Sequence, residues 1–99
     1  MMAAMLGSSV VVVSRDQVSA DLDGEAVILG FAKGVYYGLD AAGARVWNLI
    51  QTPRTVDEVC AALVEEYDVD PDRCRGDLFA LFERLVVEGL VEVDDESPA

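Results

Sequence analysis

Residues 18–39 read VSADLDGEAVILGFAKGVYYGL, three extended segments joined by two reversals. Val18, Ala20 and Leu22 alternate with Ser19 and Asp21, the period of a half-buried strand. Asp23-Gly24 is a strong hairpin signal, because both residues tolerate the positive φ that a tight two-residue turn requires. Ala26-Val27-Ile28-Leu29 follows almost without polar relief, as expected of a middle strand. Lys33-Gly34 marks the next reversal. Val35-Tyr36-Tyr37-Gly38-Leu39 is then a third strand, with Val35, Tyr37 and Leu39 on one face and Tyr36 and Gly38 on the other. Two hairpins in succession make a meander and leave the third strand at a sheet edge.

Upstream, the β-branched run Val10–Val13 is extended and closes with the polar break Ser14-Arg15-Asp16. Downstream the period changes. Asp40 is a good N-cap for a short helix carrying Ala44, Trp47 and Ile50, which Thr52-Pro53 stops. Thr55 with Glu58 forms a capping box for a second helix, whose apolar stripe is Val56, Val59, Cys60, Leu63 and Tyr67. Asp70-Pro71 opens a third helix with Cys74, Leu78, Leu81, Phe82 and Leu85 on one face, and Gly89 ends it. Leu90, Val91 and Val93 suggest a short terminal extension. The predicted class is therefore α+β, an N-terminal three-stranded antiparallel sheet followed by three helices. The layout is a flexible N-terminal arm at 1–9, one domain at 10–93 and an acidic flexible tail at 94–99.

Ninety-nine residues hold one core, and at 53% hydrophobic residues that core needs no staples. The net charge of −12 speaks against nucleic acid, since phosphate binding needs a basic face. The apolar start lacks a positively charged flank and is too short to span a bilayer, so the expectation is a cytosolic protein without a membrane partner. With no histidine and two distant cysteines, Cys60 and Cys74, no metal site is expected, and both thiols read as buried hydrophobes. The missing histidine also removes the commonest general base. No glycine-rich phosphate loop or nucleophile elbow is present, so neither an enzyme nor a cofactor is expected.

Two features go beyond a core. Tyr36 and Gly38 share a strand face that the core does not claim, and glycine lets another backbone approach closely. The third helix is apolar over more than one stripe, with Phe79 and Val86 lying to one side of the Leu78–Leu85 face. An edge strand beside such a helix is what β-strand addition of a peptide requires. Packing within the chain or within an oligomer is the alternative explanation of both features.

The run Gly34-Val35-Tyr36-Tyr37-Gly38-Leu39-Asp40, then Ala44 and Trp47, then Thr55-Val56-Asp57-Glu58, resembles the PqqD family. Asp77-Leu78, Leu81-Phe82, Leu85 and Gly89-Leu90 continue the likeness, which covers Val10 to Val93. The resemblance implies a winged helix-turn-helix-like recognition element for ribosomally made, post-translationally modified peptides. In that family a precursor's leader peptide adds to the third strand and lies against the third helix. The tyrosine-rich strand and the Trp47 helix are more similar to the lasso-peptide B1 members. These present the precursor to a separate B2-type leader peptidase, and a macrocyclase acts afterwards. The absence of a fused protease segment fits a stand-alone member.

The expected peptide-binding residues are Val35, Tyr36, Tyr37, Gly38 and Leu39 on the strand. Arg75, Phe79, Phe82 and Val86 on the third helix are expected to form the selective wall, because they repeat at helical spacing beside the Leu78–Leu85 stripe. Alternatives are a PqqD-type chaperone for a radical modifying enzyme, a structural dimer that hides the edge strand, and a winged-helix transcriptional regulator. The regulator is disfavoured because Arg73, Arg75 and Arg84 are offset by Asp72, Asp77, Glu83 and Glu88.

Overall fold

The computed structural model describes residues 5–31 and 33–94. Strand β1 (Val10–Val13) leads into the meander β2 (Gln17–Leu22), β3 (Glu25–Gly30) and β4 (Val35–Leu39). Helix α1 (Ala41–Leu49), the short strand β5 (Arg54–Thr55), helices α2 (Val56–Tyr67) and α3 (Pro71–Val87) and strand β6 (Val91–Asp94) follow. The meander pairs antiparallel in the order β2-β3-β4, so β4 is an edge strand as predicted. Asp23 and Gly24 both have positive φ, 55° and 86°, which is the conformation the hairpin signal calls for.

The expected α+β arrangement holds, with one addition. β1, β5 and β6 form a second antiparallel sheet in the order β5-β1-β6. Val11 pairs with Val93 and Val13 with Val91, so the Val10–Val13 run and the terminal extension meet across almost the whole chain. Local patterning gives such segments their strand character but not their distant partners.

β2 alternates as predicted, but its polar set faces the helices and its apolar set faces water. Ser19 pairs with Ile28 and Ile28 with Tyr37, so all three share the core face. Val18, Ala20 and Leu22 therefore stand on the outside. The Asp23-Gly24 turn fixes this register by setting Leu22 opposite Glu25.

Each helix begins at the residue its sequence signals. The Gly43 amide donates to Asp40 Oδ1 at 2.9 Å. The capping box is closed from both sides, with Glu58 N donating to Thr55 Oγ1 at 3.0 Å and Thr55 N to Glu58 Oε1 at 2.8 Å. Arg73 N donates to Asp70 Oδ2 at 3.0 Å, with Pro71 opening α3. Such caps contribute about 1 kcal/mol each. At the far end Leu90 N donates to Leu85 O and Gly89 N to Val86 O, a Schellman motif that Gly89 permits at φ 76°.

The core lies between the helices and the two sheets. Phe82, Ile28, Ile50, Leu85, Leu90 and Val11 are fully enclosed, and Trp47 is buried. Cys60 and Cys74 are buried free thiols. Arg45 Nη2 meets Glu66 Oε2 at 2.7 Å across α1 and α2. Of the arm expected over 1–9, residues 5–9 are hydrogen-bonded to the start of α2. Asp57 N donates to Gly7 O at 2.9 Å and Val56 N to Ser9 O at 3.1 Å. A Cβ at position 7 would come within 2.5 Å of the Asp57 carboxylate, which would have to shift to admit it. Residues 1–4 and the tail from 95 onward lie outside the described residues. Among the described residues, no helix is long and apolar enough to cross a membrane.

Candidate functional site

The second side of β4 has no strand on it among the described residues. Along that open edge runs a cleft of about 620 Å³, walled by β4, the start of α1, the end of α2 and the first half of α3. Tyr37, Leu39, Val46, Leu63, Leu78 and Leu81 supply its apolar lining, while Asp40, Arg73 and Asp77 are its charged members. That size, and a mostly apolar wall with a few convergent polar groups, suit a binding pocket.

The strand residues lie where the alternation puts them. Leu39 is buried and Tyr37 half-buried on the inner face, and both line the cleft. Val35 is half-buried at the turn end, outside the lining. Tyr36 points outward and is 76% exposed. Gly38 is exposed, and a Cβ added there would meet nothing within 4 Å. Packing inside the chain therefore does not demand glycine at this position, which removes the intrachain explanation for it.

The four α3 residues do not lie on the side of the helix that lines this cleft. Arg75, Phe79 and Val86 occupy one flank of the helix; Asp77, Leu81 and Arg84, at i, i+4 and i+7, occupy the other. The second flank faces β4. Leu81 and Asp77 line the cleft, and the Arg84 guanidinium lies 5.8 Å from the Tyr37 ring centre. Arg75 instead pairs with Asp57 at 2.9 Å, beside the start of α2. Phe79 and Val86 pack against the core, and Phe82 is 0% exposed within it. The strand residues and the four helix residues are thus not gathered around one cleft. The helix rotates so that its Leu81 flank, not its Phe79 flank, meets the strand edge.

Tyr67, the last residue of the apolar stripe of α2, is 47% exposed and lines the cleft together with Val69. The available signal was the pairing of Tyr67 and Val69 around the Asp68 turn, two large apolar residues where the chain only has to reverse. At the opposite end, Lys33 Nζ donates to Val87 O at 2.6 Å and ties the β3–β4 turn to the last turn of α3.

Cys74 also lines the cleft. Burial, reinforced by the hydrogen bond and charge of Cys60 and by the charge of Asp77, raises its thiol to about 11. At neutral pH it is a protonated wall atom and not a nucleophile. Among the described residues, no group of three or more His, Cys, Asp or Glu side chains is arranged to hold a metal ion.

Residues 25–91 match the family model of coenzyme PQQ synthesis protein D (PqqD). Among solved structures, the chain is similar to TbiB1 in complex with the TbiA(beta) leader peptide. The two are 32% identical over 87% of this chain and 98% of that one, with a TM-score of 0.77. A lasso peptide synthetase B1 complexed with the leader peptide shares the fold at 22% identity, covering 83% and 96% of the two chains, with a TM-score of 0.74. So does the PqqD truncation of Methylobacterium extorquens PqqCD, a stand-alone recognition element for ribosomally synthesised and modified peptides. It is 23% identical over 90% of this chain and 95% of that one, with a TM-score of 0.76. A search of the curated proteins finds no match.

Proposed function

The chain belongs to the PqqD family, and on that footing we propose that it binds the leader segment of a ribosomally made precursor peptide in lasso-peptide biosynthesis. The leader adds as a strand to β4 and seats alternate side chains in the cleft against α3. The carrying observation is the conjunction at β4 of an open edge, an apolar cleft beside it and a glycine that packing does not require. Backbone groups of Val35–Leu39 give affinity, and the cleft gives selectivity. Tyr37, Leu39, Leu78 and Leu81 form its apolar wall, in place of the Phe79 flank. TbiB1, the 32% identical relative, is itself complexed with a leader peptide, which supports the same role here. The chain acts as a cytosolic carrier and not a catalyst: it delivers the bound precursor to a separate B2-type leader peptidase, ahead of the macrocyclase.

Proline substituted singly at Tyr36 and at Tyr37 tests strand addition. Successive amides of a strand point to opposite sides, so one variant loses a ladder bond to β3 and the other loses a donor on the open edge. Fluorescence anisotropy with a labelled leader peptide, alongside circular dichroism, should find one variant that stays folded and no longer binds. Two folded variants with unchanged affinity would dismiss strand addition.

A further inference from the structure

The chain has 7 cationic side chains among 19 acids, so an arginine without a carboxylate has passed over many partners. Arg45 and Arg75 are taken by Glu66 and Asp57, and Lys33 and Arg54 donate to backbone carbonyls. Arg84 makes no ion pair among the described residues, although Glu88 stands at i+4 on its own helix. Its guanidinium lies instead 5.8 Å from the Tyr37 ring centre, within range of a cation–π contact. That contact holds a planar fork of N–H donors beside the open edge of β4.

Three contacts fix how α3 runs past that edge. Lys33, in the turn before β4, reaches Val87 O, and Tyr37 meets Arg84. Leu39 and Asp40 share the cleft with Arg73 and Asp77. Helix and strand are therefore antiparallel, with Arg84 at the turn end of the cleft and Asp77 at the other. Arg73, the other arginine at the cleft, has the acids Asp40 and Asp77 in the same lining, whereas Arg84 has Tyr37 and Leu81 beside it.

We propose that Arg84 is a specificity-determining residue, which reads a carboxylate side chain of the leader at the inward position beside Tyr37. The inference rests on the leader-binding reading above. A strand added to β4 sets its inward side chains beside Val35, Tyr37 and Leu39, on the face turned to α3. The one beside Tyr37 reaches the guanidinium, where a carboxylate accepts two parallel N–H bonds. Its neighbour two residues along, beside Leu39, enters the apolar cleft at Leu78 and Leu81. The recognised pattern is an Asp or Glu two residues from a large apolar side chain. The same pair fixes register. A slip of two residues, about 6.7 Å, carries the acid past Leu81 toward Asp77 and Asp40, where it is repelled. In a chain of net charge −12, Arg84 thus marks the one place along the edge where a leader acid is welcome.

The test replaces each acidic residue of the labelled cognate leader in turn by its amide, Glu by Gln and Asp by Asn. Affinities are measured against the natural chain and Arg84→Gln, with circular dichroism of the variant. One replacement should weaken binding to the natural chain by about three- to tenfold and add nothing in Arg84→Gln. Charge reversal excludes a merely structural role: Arg84→Glu should lose about tenfold or more, and lysine at that one leader position should recover most of it. Equal losses with and without Arg84, no loss at any acid, or a cognate leader that binds without acids would overturn the Arg84 assignment and leave strand addition standing. Failure of the natural chain to bind leader would overturn the proposed function, and this inference with it.

Discussion

The Trp47 indole N–H donates to Ser19 Oγ at 3.0 Å, joining the middle of α1 to the inner face of β2. This contact runs between the single tryptophan and a polar residue of an alternating strand, and it holds the polar set of β2 inward. Trp47 is 3% exposed, so Trp47→Ala should cost about 3–5 kcal/mol in urea melts, as for buried aromatic truncations generally. Ser19→Ala leaves the indole N–H without its acceptor and should cost about 0.5–1.5 kcal/mol. A Trp47→Ala loss well below about 1 kcal/mol would mean that the ring does not hold the sheet to the helix.

Gly38→Ala separates structure from function at one atom. The added methyl meets nothing within the chain, and Gly38 does not sit at positive φ. Replacing glycine there restricts the unfolded chain, so stability should hold or rise by about 0.4–1 kcal/mol. Leader affinity should fall, because the methyl occupies the space a neighbouring strand approaches. Melts and anisotropy on the same variant measure the two effects. A variant that is more stable and binds as well as before would show that the approach at position 38 is not close.

Caps, turns and the edge strand were legible in the sequence because each depends on residues only a few positions apart. Asp40, Thr55 with Glu58, Asp70-Pro71, Gly89 and Asp23-Gly24 all act as their types dictate. The facing of two elements was not legible. In β2 the apolar alternation predicts a buried set, but the register places Ser19 and not Val18 opposite Ile28. In α3 the central stripe is flanked by apolar residues on both sides, Leu81 on one and Phe79 on the other. Periodicity gives the width of such a surface but not the direction in which the helix is turned. The Arg75–Asp57 pair and the Arg84–Tyr37 contact show that direction, and both join residues distant in sequence. The β1–β6 pairing was hidden for the same reason.

Cys74 gives a pH dependence of definite sign. Its thiol is raised from 9.0 to about 11, with burial the largest cause. Between those values the folded thiol keeps its proton while the unfolded one has lost it. The unfolded state then binds fewer protons, and stability falls as pH rises through this window. Below it the two states are protonated alike and the thiol adds no slope. Urea melts from about pH 8 to about pH 10.5 should therefore show a steeper decline for the natural chain than for Cys74→Ala. Parallel declines would mean that the thiol titrates normally. Alkylation by iodoacetamide near neutral pH should likewise be slow in the folded protein, since the thiolate is the nucleophile.

The two flanks of α3 make the sharpest claim about selectivity. Strand addition through backbone groups accepts almost any extended peptide, so discrimination falls to the side chains that border β4. Leu81 and Phe79 are both half-buried and pack against the core, but Leu81 stands on that border and lines the cleft, while Phe79 lies on the opposite flank and outside the lining. Leu81→Ala should therefore weaken leader binding by about 1–3 kcal/mol, the range for losing the partner of a buried anchor. Its effect on stability should be smaller than that of fully buried Leu85→Ala, which removes an enclosed side chain and should cost about 2–5 kcal/mol. Phe79→Ala should show the reverse pattern: an earlier urea midpoint by about 1–3 kcal/mol, with leader affinity unchanged. Arg75→Ala should leave the leader unaffected too, since its guanidinium is engaged with Asp57 and that exposed pair contributes only about 0–1 kcal/mol. Titration calorimetry of the variants against the cognate leader and a scrambled one, with melts of each, compares the flanks directly. Loss of binding in Phe79→Ala with normal binding in Leu81→Ala would put the leader on the other side of the helix, away from β4.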